Sequence, residues 1–264
     1  MQADIWGDGP LAEAARLAAA SLGWTPGGTD LVAVAPLATT VAECDALIAR
    51  EIAGRRAFAW PTISVAAVQQ MIVRCSGIGA VTDLSTRSTR PAGTDFLVAV
   101  HDQVALVVLL AQLTGLGAPT GATLHSPTSD VERLVVHFGD FRATAEVTWS
   151  DAAPTLDIQL AAAADVLRIE TDPVTRLEHN GAVVPLPGGD PTSTADPTAD
   201  PAANSNRDQQ LYVLRETGVI GMLRSIGDAF DDGRPLAHAF SFEFGRTVVA
   251  LVERARPVRD RGPG

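Results

Sequence analysis

Ala3-Asp4-Ile5-Trp6-Gly7-Asp8-Gly9-Pro10 opens as a short extended run, a glycine turn and a proline. An alanine-rich stretch from Leu11 to Leu22 follows. Pro10 suits the first turn of a helix there, because the N–H it lacks would have no partner in any case. Gly23 and the Gly27-Gly28 pair are expected to end that helix. Asp30 to Ala35 (DLVAVA) is a continuous apolar run of the kind a parallel strand buried on both faces requires, and Pro36 stops it. Thr40 caps a second helix from Val41 to about Gly54, with Glu43 as reciprocal capping partner and Arg50, Arg55 and Arg56 gathered near its C-terminal end. Ala57-Phe58-Ala59-Trp60-Pro61 reads as the next strand and its exit. Strand and helix thus alternate, which implies a parallel sheet with helices on its faces.

Further along, a helix is expected from Ser64 to Arg74, and Gly77-Ile78-Gly79 introduces a strand around Ala80 to Leu84. Residues 97 to 113 (LVAVHDQVALVVLLAQL) are apolar at helical spacing and end at Thr114-Gly115. The period then shortens. Phe141, Ala143, Ala145, Val147 and Trp149 share one face, with Arg142, Thr144, Glu146 and Thr148 on the other. Leu134, Val136 and Phe138 alternate likewise, as do Leu156, Ile158 and Leu160, and then Leu167 and Ile169. Asn180-Gly181 is a hairpin signal joining Thr175–His179 to Ala182–Leu186. The result is an antiparallel sheet with one apolar and one charged face. Residues 187–208, rich in Pro, Asp, Ser and Thr, cannot bury enough apolar surface to fold and read as a disordered loop. Helical spacing returns from Leu211 to Ile226 and breaks at Asp231-Asp232-Gly233. A last helix carries Val248, Leu251 and Val252, with Ser241 as its cap.

Composition narrows the chemistry. All 20 basic side chains are arginine. Lysine forms Schiff bases, cradles P-loop phosphates and donates a proton near neutral pH when its pKa is lowered, whereas arginine stays protonated. Any mechanism requiring a lysine is closed to this chain acting alone. The formal net charge of -11 repels phosphate backbones and anionic bilayers, so neither nucleic acid nor membrane is an expected partner. With no leader pattern and no run of 18 or more apolar residues, a soluble cytoplasmic protein is expected. Cys44 and Cys75 read as inert thiols, and His125, His137, His179 and His238 lack metal-binding spacing, so no metal is expected.

Several stretches resemble the glucose-fructose oxidoreductase and inositol dehydrogenase (Gfo/Idh/MocA) family. These are Gly7-x-Gly9-x-x-Ala12, Ser76-Gly77-Ile78-Gly79-Ala80-Val81, His101 on a helix ending Leu113-Thr114-Gly115, and the closing Asp232-Gly233-Arg234-Pro235-Leu236 with its final helix. Their order along the chain carries the resemblance. It implies an α/β plus α+β protein: a truncated Rossmann-like parallel sheet over residues 1–63, then, over 64–264, an open, mainly antiparallel sheet with helices on one face. It also implies a Glu-Lys-Pro triplet beside the nicotinamide, where this chain has Ala59-Trp60-Pro61. A family Asp, His and Asp become Leu97, His101 and Val104. Asp102, one step along the helix from His101, is expected to point away.

Two readings follow from the resemblance. The first is a non-catalytic or accessory subunit without cofactor, pairing through its antiparallel sheet as a homo- or hetero-oligomer, with a catalytic oxidoreductase as one such partner. The second is an enzyme on a sugar-like or polyol-like ligand with His101 as acid/base, with or without NAD(P). The residues that would line a retained NAD(P) site are Gly7, Gly9, Ala12, Trp60 and Pro61. Gly7 and Gly9 would approach a pyrophosphate, but Asp8 between them brings negative charge, and Ala35 or Pro36 stands where a ribose-binding acid is expected. Trp60 is expected to fill the space of a nicotinamide ring.

Overall fold

The computed structural model describes residues 1–7, 10–34, 40–49, 54–90, 96–150, 155–171, 175–186 and 218–255. Gly9 of the glycine turn and the whole of 187–208 lie outside the described residues.

Three parallel strands form the first sheet, in the order β1 (Gln2–Trp6), β2 (Thr25–Val34) and β3 (Arg56–Ala59). Helix α1 (Pro10–Ser21) starts at the expected proline, and Gly23 closes it in the left-handed conformation at φ +76°. The Gly27-Gly28 pair lies inside β2 and not at the helix end. The register of β1 against β2 jumps there, Gln2 facing Thr25 and Ala3 facing Asp30. A Cβ on Gly28 would fall 2.2 Å from the Gln2 carbonyl oxygen, so only glycine lets the strands come together. Helix α2 (Val41–Ala49) begins with the expected reciprocal cap: Thr40 N donates to Glu43 Oε2 at 3.0 Å, and Glu43 N to Thr40 Oγ1 at 3.2 Å. At its other end Arg56 donates to the carbonyls of Leu47 and Ile48, at 3.2 and 2.6 Å, while Arg55 turns away to Asp30.

A short 3-10 turn, Pro61–Ser64, leads into α3 (Ala66–Cys75), β4 (Val81–Arg90) and α4 (Phe96–Leu113). Strands β5 (Gly121–Thr128), β6 (Val131–Phe138), β7 (Phe141–Trp149), β8 (Thr155–Ala162), β9 (Val166–Glu170), β10 (Arg176–His179) and β11 (Ala182–Val184) complete an eight-stranded sheet. Its order is β11-β10-β9-β8-β4-β7-β6-β5, antiparallel except where β4 runs parallel to β7. Asn180 and Gly181, both at positive φ, make the expected hairpin. Strand β4 runs past Leu84 to Arg90 because β7 and β8 pair with it on both sides, and β5 joins the sheet without having shown an alternating pattern.

Helices α3 and α4 and the final α6 (Phe242–Ala255) pack on the apolar face, formed by residues such as Leu134, Ala145, Ile158 and Ile169. The other face carries the charges. Helix α5 (Val219–Asp231) and α6 also return to the three-stranded sheet. There Gly245 of α6 packs on the Phe58 ring and Gly227 of α5 on Trp24, with no room for a Cβ at either glycine. Ser241 caps α6 as expected, accepting from Phe244 N at 3.2 Å. Among the described residues no helix is long and apolar enough to cross a membrane.

Candidate functional site

The site lies where β3 leaves the parallel sheet and α4 crosses beneath the larger one. Strand β3 ends because Pro61 cannot continue the ladder, and the chain tightens at once into the turn Pro61–Ser64. Trp60, at the entrance to that turn, is fully buried and stacks on Phe58, with ring centroids 5.4 Å apart and planes 11° from parallel. Pro61 and Thr62 are buried behind it. The indole Nε1 is sealed from solvent with no hydrogen-bond partner among the described residues.

Helix α4 supplies His101, Asp102 and Gln103 in a stretch whose other residues, apart from Gln112 near its end, are apolar. His101 is 2% exposed and Gln103 fully enclosed. Asp102 does not point away: its Oδ2 accepts a hydrogen bond from Thr62 Oγ1, joining α4 to the turn after β3. Its Oδ1 is sealed from solvent and unpartnered among the described residues. Burial raises the Asp102 carboxyl above its ordinary value, against the lowering effects of the Thr62 hydrogen bond and the nearby Arg90 charge. Thr62 and Arg90 were not singled out in the sequence, and Asp102 was noted there only as a neighbour of His101 expected to point away. The signal was a carboxylate inside an 18-residue apolar helix, where an unpaired acid is rare.

The glycine turn is some distance along the chain from this cluster. Gly7 takes φ 143°, open to glycine and strained for other residues, and its carbonyl accepts from Arg16 Nη2 at 2.5 Å. Ala12 is fully buried in α1. Both thiols are buried and unpaired, and burial, with the Asp45 charge beside it, pushes Cys44 up to about 11, leaving it protonated at neutral pH.

Structural comparison places this arrangement. UDP-N-acetylglucosamine 3-dehydrogenase GnnA from Acidithiobacillus ferrooxidans superposes with a TM-score of 0.60 at 16% identity, over 94% of this chain and 76% of that one. The fold is that of the Gfo/Idh/MocA oxidoreductases. A family member from Vibrio cholerae gives a TM-score of 0.58 at 13% identity, over 93% of this chain and 74% of its own. An oxidoreductase domain protein from Kribbella flavida gives 0.58 at 16%, over 92% and 85%. No protein-family model matches the sequence, and no curated protein does. The Gfo/Idh/MocA fold accounts for the pairing of a small parallel sheet with a large, mostly antiparallel one.

Proposed function

We propose that this protein keeps the oxidoreductase scaffold without transferring hydride by the lysine-assisted route, and serves as an accessory subunit that pairs through the outer face of its eight-stranded sheet. The observation that carries this reading is Trp60. In a chain with no lysine, the residue before Pro61 is a fully buried indole stacked on Phe58, so that segment offers no cation to a substrate hydroxyl.

The residues present do not fit a complete nicotinamide dinucleotide. Gly7 and Ala12 suit a phosphate turn, one by its positive φ and the other by its close packing. Asp8 adds negative charge to that turn, Ala35 and Pro36 after β2 offer no carboxylate to a ribose, and Trp60-Pro61 offers no donor cation at the ring end. No step through the cofactor is therefore assigned.

Charge balance on the sheet supports pairing. The outward-facing acids Asp83, Glu146, Asp157, Glu170 and Glu178 are matched one for one by Arg87, Arg133, Arg142, Arg168 and Arg176. Glu146 takes Arg133 at 2.5 Å and Arg87 at 3.9 Å, and Glu170 takes both Arg168 and Arg176. A balanced face on a chain of net charge -11 is where another acidic subunit can approach without repulsion. A shallow depression of about 310 Å³ lies at its centre, lined by Arg87, Glu146 and Arg168 among others. The test is a hydride-exchange assay with NADH and NADPH against a panel of sugars and polyols. No nicotinamide turnover is expected, and enzyme-like turnover by the purified chain would overturn the reading.

A further inference from the structure

We propose that the partner on the outer face of the eight-stranded sheet is a second copy of this chain, turned over about a two-fold axis that runs along the seam between β4 and β7. This rests on the reading above that the face pairs subunits, and adds which subunit and in which orientation. The order of charges carries it. Strand register places Asp157 of β8, Arg87 of β4, Glu146 of β7 and Arg133 of β6 side by side in one row across the face. Their signs run minus, plus, minus, plus. Two residues back along the strands, the same parallel register sets Asp83 of β4 level with Arg142 of β7, minus beside plus. Both rows therefore change sign across the seam where β4 and β7 run parallel.

A face with that pattern complements itself. Turning one copy over about an axis parallel to the strands reverses strand order and keeps position along the strand. Asp157 then meets Arg133 of the second copy, Arg87 meets its Glu146, and Asp83 meets its Arg142, each contact occurring twice. Stacked sheets keep their strand directions within about 30° of each other, so rows near the axis stay opposed. Other axes fit less well. About the neighbouring seam between β8 and β4, Glu170 would face Glu146 and Arg176 would face Arg133. About an axis across the strands through Ser85 and Thr144, Asp157 would face Ala161 and Arg133 would face His137. Arg87, its side chain 70% exposed and 3.9 Å from Glu146 Oε1, stands at the seam beside the central depression, which Ser85 and Thr144 help to line and which leaves room for the long side chains of a facing copy. Strands β9, β8, β4, β7, β6 and β5 overlap in this arrangement. At about 4.8 Å between strands and about 3.3 Å per residue they offer on the order of 700 Å² of projected face per copy, near the roughly 800 Å² per partner of stable pairs. The burial holds the copies together, and the charges set how they are turned.

Sedimentation of the full chain over the micromolar range at low salt, with two charge-reversed variants, tests this. The parent is expected to be a dimer. Arg142→Glu sets acid against Asp83 of the second copy, and Asp83→Arg sets arginine against its Arg142, so each variant alone is expected to weaken dimerisation at least about tenfold. Mixing the two variants brings opposite charges back together at both contacts, and the mixed dimer is expected to form within about threefold of the parent's affinity. Should a reversal prevent folding, Arg142→Gln and Asp83→Asn remove one charge each and are expected to weaken dimerisation about threefold. A monomeric parent would overturn the second copy while leaving the face to a different subunit. A parent dimer indifferent to all four variants would overturn pairing through this face altogether. Weakening by each reversal without recovery on mixing would overturn the β4–β7 axis and leave the face as the interface.

Discussion

Asp30 begins the apolar run of β2 and is 8% exposed, with Arg55 donating to it through the backbone N at 2.8 Å and through Nη2 at 2.7 Å. Burial alone would raise this carboxyl, but the Arg55 hydrogen bonds and charge outweigh it and hold it below its ordinary value. Arg55 in turn lies 4.5 Å over the Phe230 ring, so the pair also anchors α5. Asp30→Asn is expected to lower stability by about 1–3 kcal/mol in denaturant melts near neutral pH. The unfolded carboxyl titrates near 3.8, so the contribution is complete above that pH and is lost as pH falls through the lower folded value, where variant and parent converge. Asp102 has the opposite sign. Its folded carboxyl is raised, so the folded state holds the proton more tightly and stability declines as pH rises from 3.8 through the folded value. Asp102→Asn should therefore melt higher than the parent at about pH 8 and lose that advantage in acid. Equal melting temperatures at both pH values would contradict the buried, half-satisfied carboxyl.

Helix α5 reaches the turn after β3 through Gly218, whose φ is +81° and whose added Cβ would lie 2.1 Å from the Pro61 carbonyl oxygen. Gly233 also has positive φ, +64°, but an added Cβ would meet nothing within 4 Å. Gly218→Ala therefore combines backbone strain with a collision against main chain and should cost more than the roughly 1 kcal/mol of strain expected at Gly233→Ala. Paired thermal melts of the two variants check this, and equal losses would mean that α5 can move off the turn. Elements with local signals were legible in the sequence: Pro10 opening α1, Thr40 and Glu43 capping α2, Asn180-Gly181 turning β10 into β11. What escaped was set by distant partners. Gly27-Gly28 looked like a helix stop because the Gln2 carbonyl that needs Gly28 belongs to another strand. Strand β4 looked short because its polar inward face, Thr86 and Ser88, finds its partner Gln103 on α4. At the site, His101 and Trp60 could be named from sequence, but Thr62 and Asp102 meet only through the fold.

Across the whole molecule, two sheets of unequal size share the returning helices α5 and α6, and the face left outside carries balanced charge. If subunits pair there, Arg133→Glu placed beside Glu146 introduces like charges on the face and should reduce the mass seen by light scattering, more strongly at low salt. An unchanged mass would move the interface elsewhere. Gly7 follows β1 and the buried Trp60 follows β3 of the same small parallel sheet, and the accessory-subunit reading requires that this sheet hold no nicotinamide nucleotide. Calorimetric titration of the purified chain with NADH and NADPH tests that requirement most directly. No saturable binding is predicted for either nucleotide, and clear micromolar binding would contradict it.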